Sequence, residues 1–122
     1  MARSKKDEER EERIQMEIIV DAYEPEEQIL GWHAYLSDNL HFPFTARCTA
    51  LRLVSPLEIG ENVKVVGMAP DEECMHEMFV LIPWKQRKLA VPLSQLKGVK
   101  VDEETQQAIE DWHYWVAQEH EF

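Results

Sequence analysis

Met78-Phe79-Val80-Leu81-Ile82, followed a few residues later by Leu89-Ala90-Val91-Pro92-Leu93, decides the fold. The first run is apolar at every position, so both of its faces are to be buried, as in a strand at the centre of a small barrel. The second run carries a proline, which has no N–H for a strand ladder and marks an edge or a strand end. Working outward, Thr45–Val54 and Asn62–Met68 read as further strands, with Ser55-Pro56-Leu57-Glu58-Ile59-Gly60-Glu61 turning between them. Short strands at this spacing predict a small SH3-like β-barrel over residues 44–101.

Helical patterns flank the strands. In Glu24-Pro25-Glu26-Glu27 a proline stands where a first helical residue belongs, and carboxylates sit where the helix dipole favours them. Ile29, Leu30, Trp32, His33, Leu36 and Leu40 then follow at helical spacing. The helix is predicted to end near Ser37-Asp38-Asn39, before Phe42-Pro43-Phe44 imposes extended backbone. Between Ile14 and Tyr23 the apolar residues fit neither period; the segment is read as helix, which makes the whole of 14–40 helical. Residues 3–13 are charged at every position except Ser4, so residues 1–13 read as a charged tail, either a solvated helix extension or disordered. A last helix is predicted over 102–119. Asp102 caps it, Glu103 and Glu104 suit its dipole, and Ala108, Ile109, Trp112, Trp115 and Val116 form one apolar face. The expected architecture is a single α+β domain over residues 14–122, a small barrel between N-terminal helices and a C-terminal helix, with no internal repeat or Gly/Ser linker.

The chain of 122 residues has a net charge of −11 and a pI near 4.8. Two acidic blocks, residues 21–77 and 101–122, flank a basic one, residues 78–100, which has five Lys and Arg and no Asp or Glu. Binding to nucleic acid or an anionic membrane draws on cations placed against phosphates, so neither is an expected partner. The longest apolar run, Met78 to Trp84, is far short of the roughly 20 residues of a membrane helix. No hydrophobic stretch follows the basic N-terminus, so no secretory signal is expected. Cys48 and Cys74 are too few for a disulfide framework, and the expected setting is the cytoplasm, with both thiols reduced.

Catalytic chemistry finds little support. There is no Gly-x-Ser-x-Gly, no His-Glu-x-x-His and no glycine-rich phosphate loop, and none of His33, His41, His76, His113 and His120 stands in a nucleophile motif. The chain is therefore not expected to be an enzyme. A zinc site could draw on Cys74-x-His76 with His41 or Cys48, but structural zinc sites usually show two close ligand pairs, and here there is one. The carboxylates are the larger resource. Pro70-Asp71-Glu72-Glu73-Cys74-Met75-His76-Glu77 places four acids in a loop between two predicted strands. Calcium takes about six to eight oxygens in irregular geometry, so such a loop is a candidate hard-cation site; the same cluster also fits a solvated acidic turn. Asp38 stands near a helix C-terminus, against the negative end of the dipole, an arrangement that a cation relieves.

The stretch Gly31-Trp32-His33-Ala34-Tyr35-Leu36-Ser37-Asp38-Asn39-Leu40-His41-Phe42-Pro43-Phe44-Thr45-Ala46 resembles the signature of a small bacterial family of calcium-binding proteins without EF-hands, best known from cyanobacteria (CcbP-like). Ser55-Pro56-Leu57, Gly67-Met68-Ala69 with Asp71-Glu72-Glu73-Cys74, Glu77-Met78-Phe79-Val80, Leu89-Ala90-Val91-Pro92-Leu93 and Ala108-Ile109-Glu110-Asp111-Trp112 are similar to its further blocks, in the same order. The resemblance runs from about Arg13 to Phe122. It implies an α+β protein with an SH3-like barrel that binds Ca2+ through clustered acids and buffers it in the cytosol. Carried over by position, the implied ligands are Asp38, Asp71, Glu72, Glu73 and Glu77. Ser37 stands where family members often have another acid, and His76 where they are often polar or acidic. The expected partner is the calcium ion, and the expected state a monomer. The alternative is a protein-interaction module, in which Lys85, Arg87, Lys88, Lys97 and Lys100 form a basic face beside the acidic ones.

Overall fold

The Asp7 side chain accepts the Arg10 N–H at 3.0 Å and so caps a first helix, α1 (Glu8–Arg13). The computed structural model describes residues 7–20 and 22–118. Residues 1–6 of the expected charged tail, and residue 119 of the expected last helix, lie outside the described residues. Residues 8–13, for which the charge pattern allowed a solvated helix extension or disorder, are helical and run directly into a π-helical turn, Ile14–Ile18. That wider turn, in which the Ile19 N–H donates to the Ile14 carbonyl at 3.0 Å, explains why the apolar residues here fitted neither regular period. It buries Ile14, Ile18 and Ile19 together.

α2 (Pro25–Asn39) begins where the proline and carboxylates placed it, and the Glu27 carboxylate reaches back to accept the Glu24 N–H at 3.1 Å. Its buried face is Ile29, Trp32 and Leu36. Gly31 lets the π-helical turn press against α2, because a Cβ at that position would lie 2.5 Å from the Ile18 carbonyl oxygen.

Six strands follow: β1 (Phe44–Cys48), β2 (Asn62–Val65), β3 (Gly67–Met68), β4 (Phe79–Trp84), β5 (Arg87–Pro92) and β6 (Leu96–Val99). They form two three-stranded antiparallel sheets, β2-β1-β6 and β3-β4-β5, where the sequence predicted a small SH3-like β-barrel. β1 is central in the first, with Ala46 between Val63 and Gly98. β4 is central in the second, with Leu81 between Gly67 and Ala90; its Val80 and Ile82 face is buried, whereas Phe79 and Leu81 on the other face are only half-buried, short of the burial of both faces expected. The chain passes between the sheets at Val66, whose N–H donates to Leu81 at 2.8 Å, and again through a 3-10 turn, Leu93–Gln95. β1 is shorter than expected: the Thr49 N–H still donates to the Gln95 carbonyl at 2.8 Å in the register of the β1–β6 pairing, but Leu51, Leu53 and Val54 beyond it are exposed.

α3 (Glu103–Ala117) starts at Asp102, whose side chain accepts the Thr105 N–H, as the sequence indicated. The helices meet through aromatic rings: Trp32 lies 5.1 Å from Trp112 and 5.5 Å from Trp115, centroid to centroid, in edge and tilted geometries. α1 is fastened to α3 by polar contacts, among them the Asp7 N–H donating to the Tyr114 hydroxyl at 3.0 Å.

Candidate functional site

The acidic loop is a single 3-10 turn, Asp71–Cys74, held against the start of α2. Two contacts fix it. The His33 Nε2–H donates to the Ala69 carbonyl at 2.7 Å, and the Phe79 N–H donates to the Cys74 Sγ at 3.4 Å. Cys74 is wholly buried, which pushes its thiol pKa up, while His76 is exposed. The thiol–imidazole reading therefore loses its soft ligand to the core. With Cys74 anchored, Asp71, Glu72 and Glu73 are left exposed on the turn. Asp71 and Glu72 line one shallow depression together with Glu26, a residue the sequence reading had assigned only to the helix start.

Asp38 is exposed in the last turn of α2 and belongs to a different groove, lined also by Arg13, Glu17, Tyr35, Asn39 and Gln107. The Asn39 Nδ2 donates to the Tyr35 carbonyl at 2.9 Å, which leaves its Oδ1 as an oxygen beside Asp38 and Glu17. Glu77 stands apart from both. Its carboxylate takes both terminal nitrogens of Arg52, one of them at 3.0 Å, and the Ser94 hydroxyl at 3.3 Å. This pairing raises the Arg52 pKa and ties Glu77 to Arg52 and Ser94. The five acids therefore occupy three places: Asp38 in one groove, Asp71, Glu72 and Glu73 on the turn, and Glu77 in an ion pair. Exposed carboxylates with an amide oxygen are hard donors and fit a hard cation better than a thiophilic one.

Two further arrangements were not visible in the sequence. Among the described residues one group of three His, Cys, Asp or Glu side chains brings ligand atoms together, His41, Asp102 and Glu104. His41 Nδ1 lies 2.9 Å from Asp102 and Nε2 3.3 Å from Glu104. Asp102 also accepts the Thr105 hydroxyl at 2.6 Å, which is the largest cause of its lowered pKa, so the group completes the cap of α3. Asp111, on α3, is wholly buried and binds Arg13 through two hydrogen bonds, Arg10 at 3.2 Å and the Tyr35 hydroxyl at 2.5 Å. Burial, reinforced by Asp111, pushes the Tyr35 hydroxyl up to about 12. This cluster backs the Asp38 groove, since Arg13 and Tyr35 belong to both.

Comparison with known proteins falls on the calcium side. A family model described as calcium binding, Calci_bind_CcbP, matches residues 12–116. Among solved structures, the crystal structure of Anabaena CcbP is 41% identical, with a TM-score of 0.87 over 100% of both chains. A calcium-binding protein in its calcium-binding form is 40% identical, with a TM-score of 0.81, again over 100% of both chains. No curated protein matches.

Proposed function

The chain belongs to the CcbP calcium-binding family, and we propose on that premise that it binds calcium through Asp38, Asp71, Glu72 and Glu73 and buffers the ion in the cytoplasm. The observation that carries this reading is likeness along the whole chain, at 41% identity, to a solved protein of that family. The geometry supports it in a specific way. Asp38 and Glu17 line one groove, and Asp71, Glu72 and Glu26 line another, so exposed carboxylates are available at two separate places for a cation to draw together. Calcium accepts such irregular, partly hydrated sets, whereas magnesium holds its waters and demands near-octahedral geometry. Neither set contains an EF-hand loop. Glu77, also among the acids implied by the family resemblance, acts in this reading through Arg52 by fixing the chain that follows the acidic turn.

The fold in this reading is an SH3-like barrel opened into two sheets. β2 continues into β3 through Val66, and β5 into β6 through Leu93–Gln95, so each outer strand of one sheet is continuous with an outer strand of the other. The role is binding rather than catalysis. Calorimetric titration of chelator-stripped protein with calcium, alone and in millimolar magnesium, tests the proposal. Saturable calcium binding that magnesium barely displaces is expected; no binding at millimolar calcium overturns it.

A further inference from the structure

Leu30 is 54% exposed and Met75 is 46% exposed, and both line the depression of about 230 Å3 that Asp71 and Glu72 border. Ile29, only 3% exposed, lies beside Leu30 in the same lining, and Glu26 completes it. The walls are fixed in advance, one by α2 and the other by a turn tied through His33–Ala69 and Cys74–Phe79. Scattered single apolar residues on a surface need no explanation. Here they share one concavity with three carboxylates, none of which is in an ion pair among the described residues.

That combination specifies an occupant. The depression holds one large apolar side chain, and the carboxylates around it attract Lys or Arg placed on either side of that anchor. We propose that this groove docks a basic amphipathic helical segment of another protein, with an apolar anchor between α2 and the Asp71–Cys74 turn and cations on Glu26, Asp71 and Glu72. A second copy of the chain is the poorer occupant, since a net charge of −11 on each copy opposes self-association. Two of these carboxylates are also proposed calcium ligands, so the test is made in chelator and its failure leaves the calcium reading untouched.

The probe is a labelled peptide of Lys and Leu, about 18 residues long so that a helix can persist, with Leu at helical spacing. The control is a peptide of the same composition in scrambled order. Fluorescence anisotropy is expected to show tighter binding of the amphipathic peptide. Leu30→Ser/Met75→Ser, which keeps every charge, is expected to weaken it about tenfold, as the loss of an apolar anchor does. Glu26→Gln/Asp71→Asn/Glu72→Gln is expected to weaken it by a similar factor and to flatten its salt dependence. Unchanged melting temperatures check that the surface variants remain folded. Equal binding of the two peptides, or wild-type affinity in Leu30→Ser/Met75→Ser, overturns the proposal and reduces the effect to general attraction by an acidic protein. A dimer in sedimentation that the same variants abolish overturns the choice of occupant.

Discussion

Arg13 and Asp111, 98 residues apart in the chain, meet through two hydrogen bonds of 2.9 and 2.6 Å. The carboxylate is wholly buried, and a buried charge is tolerable only when it is paired and hydrogen-bonded. Arg10 and Tyr35 complete its shell, so one acid on α3 holds α1 and α2 in place.

Asp111→Asn keeps the shape and removes the charge, leaving two guanidinium groups facing a neutral amide. Removing one partner of a buried ion pair costs about 3 kcal/mol or more, which for a domain of this size is a drop in melting temperature on the order of 10 °C. Thermal unfolding followed by circular dichroism checks this, and a melting temperature equal to wild type rejects the latch.

Tyr35 supplies a pH dependence. Its folded pKa is raised from 10.0 to about 12, chiefly by burial and then by Asp111. The neutral hydroxyl is therefore favoured by folding. Its contribution is fully present below pH 10 and is lost as pH rises through 12. Stability measured by denaturant unfolding is expected to fall across that window, and Tyr35→Phe is expected to flatten the slope while lowering stability at neutral pH. An identical slope in the variant would remove Tyr35 as the cause.

The acids are expected to divide into two functional kinds. Asp38→Asn, and separately Glu72→Gln/Glu73→Gln, should each weaken calcium binding at least tenfold, about 1.4 kcal/mol, because each removes anionic oxygens from a proposed ligand set. Glu77→Gln should leave calcium affinity within twofold and cost about 1 kcal/mol of stability, since it loosens a partly exposed bidentate pair with Arg52. Calorimetry and thermal melts on the same samples separate the two. Calcium affinity that falls with Glu77→Gln and not with Asp38→Asn would reverse the assignment.

Calcium should also raise the melting temperature of the folded chain. A ligand that binds only the folded state stabilises it by about 2.7 kcal/mol at a hundredfold excess over Kd, several degrees here. Sodium chloride matched for ionic strength is the control, because screening alone relieves repulsion in so acidic a chain. Equal shifts in the two salts would mean that no calcium-specific site exists.

The β4–β5 hairpin turns through Lys85 at φ 48° and Gln86 at φ 70°, left-handed values at two residues that pay for them. Lys85→Asn/Gln86→Gly places residues suited to that turn and is expected to raise stability by about 1 kcal/mol. A lower melting temperature would show that the Lys85 contact with the Trp84 ring outweighs the strain.

Much of this architecture is written locally. Pro25 and Asp102 mark their helices because capping is a matter of neighbouring residues, and the apolar run from Met78 marks a central strand, though only its Val80 and Ile82 face is fully buried. The alternation of strands was equally readable, but their division into two sheets was not, since it depends on how Val66 and the Leu93–Gln95 turn redirect the chain. The candidate acids were legible as residue types only. Nothing in the spacing of Glu77 announces Arg52, which lies 25 residues earlier, and nothing in Asp38 announces Glu17 across the groove. The π-helical turn was legible only as a failure of both periods, which is what a wider turn produces.

The Asp7–Tyr114 hydrogen bond brings the first and last described turns side by side. Fluorophores placed on Glu8 and Val116, both exposed, would therefore sit close together in the folded protein whatever occupies the acidic grooves. Energy transfer between them would report whether the chain is folded and stay silent about its cargo.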